Sequence, residues 1–259
     1  MKAMYTAASG MDAQAFRIDA IANNLANADT TGFKKTQVDF ADLMYASIGQ
    51  QPTGAGSTIQ VPGLEIGSGV APSSTLKIFQ QGALSNTSGP LDVAITGNGF
   101  LPVQTASGET RYTRDGSFRV ASDGSICTAQ GYKLLPTMTV PTNAVSVTIG
   151  LDGTVEATGA DGSASSLGQI QLANFVNPAG LASQGSNLYA ETGASGTATL
   201  GAPGTSGLGE LRQGYLEMSN VEVVAELVDL IMAQRTYELN SKVIRAGDRV
   251  LQAATALMS

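Results

Sequence analysis

Residues 4–25, near the N-terminus, read MYTAASGMDAQAFRIDAIANNL. Their apolar side chains recur at steps of four and three residues, which is the spacing of a coiled-coil seam on one face of an α-helix. The seam consists of Met4, Ala8, Met11, Ala15, Ile18, Ala22 and Leu25. An amphipathic helix that exposes such a stripe alone is marginal in water, so the sequence predicts a partner along most of its length.

The C-terminal segment carries a matching pattern. Its seam has the same steps and consists of Leu239, Val243, Ala246, Val250, Ala253 and Leu257. A second apolar row at seven-residue spacing consists of Val223, Leu230, Tyr237, Ile244, Leu251 and Met258. We therefore predict that the two ends of the chain pair as helices, and that the wider C-terminal helix has more than one neighbour.

Local signals predict where these helices begin and end. Asparagines crowd the end of the first helix and Gly32 can adopt a left-handed conformation, so that helix is expected to end between Asn27 and Gly32. Ser219 followed by Glu222 matches a capping box, which places the start of the last helix at about Val221.

The middle of the chain has the alternation of antiparallel strands, with apolar positions such as Leu91, Val93 and Ile95. Asp-Gly pairs at residues 115, 123, 152 and 161 indicate hairpin turns between them, rather than calcium loops. The predicted class is α+β: long terminal helices that form a coiled-coil domain, an extended arm and a central, mainly antiparallel β domain. The predicted boundaries are 1–30 for the first helix, 31–72 for the arm, 73–210 for the body and 211–259 for the last helix.

Residues 49–72 are rich in Gly, Pro, Ser and Thr. Prolines fix φ and remove backbone donors, which favours an extended arm or an irregular connection over a regular element. A free linker gains nothing from apolar side chains, so their presence favours an arm that lies along a neighbour. The arm is predicted from Pro52, Ile59, Val61, Pro62, Leu64 and Ile66.

The composition excludes several kinds of chemistry. The chain of 259 residues has no His and a single cysteine, Cys127, so neither a disulfide nor a structural zinc site nor a Ser-His or Cys-His pair is expected. Cys127 itself is predicted to be a buried strand residue. No catalytic, cofactor-binding or metal-binding residue is identified, and the protein is not expected to be an enzyme.

Charge and hydropathy also limit the partners. A formal charge of −7 without a basic block argues against nucleic acid, and residues 134–211 contain five acids and no Lys or Arg. Asp12, Arg17 and Asp19 interrupt any apolar run at the N-terminus, so we expect no cleaved signal peptide. We expect no transmembrane helix and no direct insertion into a membrane.

Three groups of motifs resemble those of the bacterial flagellar rod and hook proteins. The N-terminal group is Ala7-Ala8-Ser9-Gly10-Met11, Ile21 to Asn27 and Thr30-Thr31-Gly32-Phe33-Lys34; the central group is Gly82-Ala83-Leu84, Pro90 to Phe100 and Tyr112 to Phe118; the C-terminal group is Ser219-Asn220-Val221, Glu226-Leu227-Val228 and Gln234 to Lys242. The motif residues singled out are Asn23, Asn24, Asn27, Gly32, Phe33, Ser219, Asn220, Tyr237 and Asn240. The length and the arm are most similar to those of the distal-rod branch.

The resemblance implies a structural subunit that polymerises into a rigid helical tube and transmits torque to the hook. It implies export through the flagellar type III apparatus and a location in the basal body, in the rod that crosses the periplasm. Other rod proteins, the hook protein and the surrounding ring proteins are the implied partners, and the arm is implied to stiffen the rod. Cys127 and the pair Leu101-Pro102 depart from the family pattern within the body.

Two alternatives remain at this point. The chain is similar enough to the whole family that a hook or proximal-rod subunit stays open. A β-domain binding module outside the flagellum, for instance for carbohydrate, is also open, and in it the helical ends would pair only with each other.

Overall fold

The computed structural model describes residues 2–48 and 64–258, and they divide into two compact units. The helical unit comprises Met1–Leu25, Thr36–Leu76 and Val223–Ser259, and the body comprises Ala26–Lys35 and Lys77–Glu222. The two units are described separately below. Between them, the described residues form two long helices and a set of short antiparallel strands, so the α+β class is confirmed.

The helical unit contains both helices, α1 (Lys2–Ala26) and α2 (Val223–Met258). Its four strands form two pairs, in which β1 lies beside β4 and β2 beside β3. Their bounds are β1 (Thr36–Asp42), β2 (Tyr45–Ile48), β3 (Leu64–Gly67) and β4 (Val70–Lys77). The region predicted as an extended arm or an irregular connection contains regular strands in its described part, where β3 and β4 are held by ladder hydrogen bonds.

The body consists of short antiparallel strands. The bounds are β5 (Leu84–Asn86), β6 (Val93–Thr96), β7 (Leu101–Gln104), β8 (Thr110–Thr113), β9 (Phe118–Val120), β10 (Ile126–Thr128), β11 (Lys133–Leu134), β12 (Ala144–Ile149), β13 (Thr154–Gly159), β14 (Ala164–Gln169), β15 (Leu172–Asn174), β16 (Ala182–Gly185), β17 (Leu188–Ala190), β18 (Thr199–Gly201), β19 (Glu210–Gln213) and β20 (Tyr215–Glu217). A 3₁₀ turn spans Pro178–Gly180. The largest sheet has seven strands in the order β16-β17-β8-β7-β11-β10-β9, and β12-β13-β14 form a second sheet.

Smaller strand pairs connect distant parts of the body. β6 pairs with β19 through Ile95 and Leu211, β5 with β20, and β15 with β18. The strands β19 and β20 lie in the segment predicted as the start of the last helical domain, which shows that the chain returns to the body before α2 begins. The boundaries of the four predicted domains otherwise stay predictions.

The core of the body lies beneath these strands. Val93, Ile95, Leu101, Leu172 and Leu211 are each at most 1% exposed. Consecutive residues of β6 and β7 are buried, so both faces of these strands are covered. A second cluster is aromatic, and its rings meet edge to face, as in the pair Tyr112–Phe175 with centroids 4.8 Å apart. Cys127 is buried in β10, which confirms the prediction of a buried strand residue.

The Asp-Gly turns at residues 123, 152 and 161 join paired strands, as the sequence predicts, whereas Asp115-Gly116 lies between β8 and β9, which are not paired, so the prediction of a hairpin there was wrong. Asp152 Oδ1 accepts hydrogen bonds from the backbone N–H and the hydroxyl of Thr154, and Asp161 makes the same pair of bonds with Ser163. The following glycines have positive φ, +84° at Gly153 and +76° at Gly162, which a side chain would strain. Asp side chains that bond their own backbone two residues on thus set the hairpins of the body.

Two predicted helix boundaries need correction. α1 ends at Ala26, one residue before the predicted range, and Gly32 adopts a left-handed φ of +68° after an intervening turn. α2 begins at Val223, and the Ser219 hydroxyl accepts a hydrogen bond from the Val221 N–H instead of capping the helix. The capping-box prediction was therefore wrong, because Ser219 is part of the body and lies four residues before the helix.

Neither described helix is long and apolar enough to cross a membrane. Among residues 2–48 and 64–258, three or more His, Cys, Asp or Glu side chains nowhere come close enough together to hold a metal ion.

Candidate functional site

The two terminal helices contact each other within the helical unit. The contacts include the pairs Asn24 with Glu226, Arg17 with Asp229, Gly10 with Asn240, and Met4 with Gly247. The residue numbers fall along α1 as they rise along α2, so the helices are antiparallel. The prediction that the two ends can pair inside one chain is consistent with this contact.

Glycine lets the helices approach closely at two of these pairs. A Cβ added to Gly10 would lie 2.8 Å from Asn240 Nδ2, and one added to Gly247 would lie 2.9 Å from Met4 Cγ. These distances are too short for a real Cβ atom, so a side chain at either position would force Asn240 or Met4 to move aside. The motif residue Asn240 is thus placed directly against α1.

Asn24 joins the end of α1 to two other segments. Its Nδ2 donates to Thr36 O at 2.9 Å and to Glu226 Oε2 at 3.2 Å, and its Oδ1 accepts from the Thr36 N–H at 2.9 Å. The side chain is 1% exposed. An asparagine offers both donors and an acceptor, which a buried position with these partners requires.

The α1 face that contacts α2 coincides with the predicted seam only at Met4. Gly10, Arg17 and Asn24 make the contact, and each precedes a seam residue by one position, so the face is rotated by about 100°. Of the seam, Ala15 and Ala22 are exposed, whereas Met4, Ala8, Met11, Ile18 and Leu25 are partly buried. Glycine and polar pairs, which apolar spacing does not detect, take part in the contact inside one chain, and a role of the seam in assembly stays a prediction.

On α2 the predicted seam is largely exposed. Leu239 is 59% exposed, Val243 48% and Val250 69%, and Ala246 and Ala253 are exposed as well. The second row is more covered: Leu230 and Ile244 are partly buried, whereas Val223, Tyr237 and Leu251 are each 42% exposed. The side chains of Leu257 and Met258 lie outside the described residues. A role of these residues in self-assembly stays a prediction.

A buried ion cluster in the body joins the motifs. Lys34 Nζ lies 2.5 Å from Glu217 Oε1, and Arg114 Nη1 lies 3.2 Å from Glu217 Oε2. Glu217 Oε1 also accepts from the Gly82 N–H at 2.9 Å, and Lys34 Nζ donates to Gln80 O at 2.7 Å. Lys34 is 0% exposed, Glu217 1% and Arg114 3%. Burial of three charges is tolerated here because each is paired and hydrogen-bonded.

The electrostatics of the cluster are set mainly by burial. Loss of solvation lowers the pKa of Lys34, and the neighbouring Glu217 carboxylate opposes this effect. Burial likewise lowers the pKa of Lys77, whose ammonium lies 5.0 Å from the centre of the Phe33 ring. The guanidinium of Arg114 lies 5.3 Å from the centre of the Phe100 ring, which ties the cluster to the aromatic core.

Gly32 and Asn220 form further hydrogen bonds next to the ion cluster. The Gly32 N–H donates to Glu217 O at 2.8 Å, and a Cβ on Gly32 would lie 2.7 Å from Asp115 N. Asn220 Oδ1 accepts from the Lys35 N–H at 2.7 Å, and its Nδ2 donates to Ile78 O at 2.8 Å. Gly32, Phe33, Ser219 and Asn220 are therefore all part of the body rather than of a helix contact.

The remaining predicted residues are scattered. Asn23 is exposed, and Asn27 Oδ1 accepts a hydrogen bond from the Thr30 hydroxyl. Of the predicted arm, Pro52, Ile59, Val61 and Pro62 lie outside the described residues, as does the side chain of Leu64. Ile66 is 38% exposed in β3.

Sequence reasoning missed Glu217 altogether and did not recognise Lys34 and Arg114 as a buried pair of cations. The three residues are far apart in the chain, and a single charged side chain in a short strand carries no signal of burial. The motifs around them were the available clue, because Lys34 and Arg114 lie inside two of the quoted motifs.

Comparison with known proteins gives consistent matches along the whole chain. Residues 4–34 match the family model described as "Flagella basal body rod protein", residues 94–157 the "Flagellar hook protein FlgE/F/G D1 domain", and residues 212–257 the "Flagellar basal body rod FlgEFG protein C-terminal". The chain is 47% identical to the flagellar basal-body rod protein FlgG of Caulobacter vibrioides, with 100% of both chains covered. The chain belongs to the FlgG family. It is also 45% identical to FlgG of Borreliella burgdorferi, covering 99% of this chain and 98% of that protein, and 46% identical to FlgG of Buchnera aphidicola subsp. Schizaphis graminum, covering 98% of each.

The ion cluster unites the three regions that the FlgG-family models match. Lys34 lies in the first matched range, Arg114 in the second and Glu217 in the third. In this member of the FlgG family, contacts among these residues thus hold together segments that are distant in sequence. The family comprises structural rod proteins, which fits the expectation that this chain acts as a building block.

Proposed function

We propose that this protein is a structural subunit of the flagellar basal-body rod. It polymerises into a rigid tube that transmits torque to the hook. Membership of the FlgG family supports this role, because the relatives of similar length carry the name of rod proteins. The proposal assigns no catalytic activity to the chain.

The observation that carries the proposal is the exposed apolar face of α2. Leu239, Val243 and Val250 are between 48% and 69% exposed, and they follow one another along the helix. A contiguous apolar stripe in water is costly for a monomer and is stabilised when another surface covers it. Further copies of the same helix region are the partners that a helical polymer provides.

Membership of the family supports a finer version of the proposed role. The rod position is the distal one, and the subunit is exported through the flagellar type III apparatus without a cleaved signal. It crosses the periplasm within the basal body, where other rod proteins, the hook protein and the ring proteins are its neighbours. The residues 46–72 act as an arm that stiffens the rod.

Sedimentation of the full chain and of a shortened chain tests the proposal. A chain that ends after Gln234 loses the predicted seam of α2 but retains the contacts of Asn24 with Glu226 and of Arg17 with Asp229. We expect the full chain to form polymers as concentration rises and the shortened chain to remain monomeric. Far-UV circular dichroism should show that the body of the shortened chain is still folded.

The same experiment distinguishes the alternative of a binding module. If both chains remain monomeric at every concentration, the polymer proposal is wrong and the module is favoured. A separate deletion of residues 50–62 tests the arm: the rod should still form but bend more easily, and unchanged rod stiffness would contradict the role of the arm.

A further inference from the structure

A groove on the helical unit combines apolar and acidic side chains. It has a volume of about 350 Å³ and lies between the outer face of α1 and the start of β4. Phe16, which is 54% exposed, contributes to the apolar part, and Asp12 and Asp19 are exposed along it. The lining residues are Ser9, Asp12, Ala15, Phe16, Asp19, Val70, Ala71 and Pro72.

The wall that β4 provides is held close to α1. The Ser9 hydroxyl accepts a hydrogen bond from the Val70 N–H at 3.3 Å. A Cβ on Gly69 would collide with the same hydroxyl, and Gly69 has a φ of +121° that only glycine adopts easily. The groove is therefore a built feature of the helical unit.

The outer face of α2 has the complementary chemistry. Arg235, Lys242 and Arg249 are exposed and recur at seven-residue spacing, which places them in one row along the helix. The exposed apolar residues Leu239 and Val250 lie beside this row. The face thus combines cations with apolar side chains, as the groove combines carboxylates with apolar side chains.

The spacing of the charges matches. Asp12 and Asp19 are seven residues apart, as are Lys242 and Arg249, and seven residues of an α-helix rise by about 10.5 Å. Two carboxylates can therefore meet two cations when the helices lie side by side, with the apolar residues between them in contact.

This contact cannot form inside one chain. Asp12 follows Gly10 by two residues, and Lys242 follows Asn240 by two, and two residues turn a helix by about 200°. Since Gly10 and Asn240 face each other, Asp12 and Lys242 point away from the contact between α1 and α2. The outer face of α2 can reach such a groove only on a second copy of the chain.

The charge of the groove also argues against residues 49–63 as the segment that fills it. Residues 49–63 contain no charged side chain, so they offer no counterpart to Asp12 and Asp19. The outer face of α2 offers both charge and apolar area.

We propose that the groove formed by Asp12, Phe16, Asp19 and β4 receives the outer face of α2 from a neighbouring copy, with Lys242 and Arg249 paired to the two carboxylates. The inference rests on the proposed polymerisation and names its contact. Each copy contributes its groove to one neighbour and its α2 face to another. Such a head-to-tail contact generates an open helical assembly when its repetition does not close into a ring, and the proposed polymer requires the open form.

Charge reversal on each side tests the contact with the full-length protein. Asp12→Lys/Asp19→Lys and, separately, Lys242→Glu/Arg249→Glu should raise the concentration at which polymers sediment by about tenfold or more, since each replaces attraction by repulsion. The chain with all four substitutions should assemble at a concentration close to that of the unchanged protein, because the pairs are restored with opposite sign. All four residues are exposed, so circular dichroism of the monomers should be unchanged.

A matched control places the same change of charge elsewhere. Glu156→Lys/Glu210→Lys alters two exposed acids of the body and should leave assembly unaffected. If the unchanged protein polymerises and either double reversal does so equally well, the proposed contact is wrong while polymerisation stands. If both reversals prevent assembly and the fourfold variant does not recover it, the charges do not pair with each other and the proposal is overturned. If the unchanged protein never polymerises, the proposed function itself fails.

Discussion

The body and the helical unit differ in how far they bury their side chains. In the body, the cations Lys34 and Arg114 are buried against Glu217, and the apolar strand residues are covered by other strands of the same unit. In the helical unit, α2 leaves Leu239 and Val250 more than half exposed. The difference is that the body covers its apolar strand residues within one chain, whereas α2 leaves apolar side chains exposed.

Hydrogen exchange on the monomer measures this difference directly. We expect amides of residues 4–25 and 223–257 to exchange on the order of a thousandfold faster than those of β6, β7 and β15. Helices with little covered apolar surface open locally at low free energy, whereas core strands open only with the whole unit. Mass spectrometry of peptides from dilute protein gives the rates.

Assembled protein is the control for this experiment, because the same helix peptides should become protected in the polymer. Strong protection of both helices in the monomer would show that one chain covers them sufficiently, and the contrast between the units would disappear.

Removal of Glu217 should produce the largest loss of stability in the body. Glu217→Leu leaves Lys34 and Arg114 buried without a counter-charge, and breaking a buried ion pair from one side costs about 3–5 kcal/mol. Urea denaturation followed by circular dichroism measures the free energy of unfolding. The matched control is Glu109→Leu, which breaks the ion pair between Glu109 and Arg111. The Glu109 side chain is 60% exposed, so its loss should cost at most about 1 kcal/mol.

Replacement of all three charges sharpens the interpretation. A chain with Lys34→Met, Arg114→Met and Glu217→Leu should recover much of the stability, because apolar residues of similar size often replace buried ion groups without loss. Equal losses for Glu217→Leu and Glu109→Leu would refute the importance of burial in this cluster.

A change on the outer face of α1 should affect assembly and leave the monomer intact. Ala15 is exposed and lines the groove, so Ala15→Glu should not alter the free energy of unfolding of the body. In a polymer, the same glutamate would add a third carboxylate between Asp12 and Asp19 and a bulky charge at the surface that the neighbouring helix covers, which is unfavourable. We expect sedimentation to show loss of assembly, whereas Ala41→Glu, at an exposed site in β1, should assemble normally. Filaments from the Ala15 variant would exclude this face as an interface.

The sequence was sufficient for features that depend on neighbouring residues. The turns at Asp152-Gly153 and Asp161-Gly162 follow from local hydrogen bonds, and both terminal helices follow from apolar periodicity. The helix contact was beyond it, because Gly10 and Gly247 act by lacking a side chain and Asn24 acts through specific polar partners. The apolar pattern detects neither of these.

The ion cluster was beyond reach for a different reason. Glu217 is 183 positions from Lys34 and 103 positions from Arg114, so only the folded chain brings the three together. Burial of each charge depends on the presence of the others, and no property of the separate segments reveals it.

The smallest expected effect concerns the turns of the body in acid. Hydrogen bonds from the hydroxyl and the N–H of Thr154 lower the pKa of Asp152, those from Ser163 lower the pKa of Asp161, and Lys133 followed by Ser125 lowers that of Asp123. A carboxyl whose pKa is lower in the folded chain contributes stability above its unfolded pKa, about 3.9, and loses it as the pH falls through the folded value. The urea midpoint of the body should therefore decrease as the pH falls from about 4. A chain with Asp123→Asn, Asp152→Asn and Asp161→Asn keeps an acceptor oxygen at each turn but cannot titrate there. Its urea midpoint should be similar at neutral pH and should decrease less steeply in acid. If the midpoint falls equally steeply with pH in both proteins, these turns are not the source of the acid sensitivity.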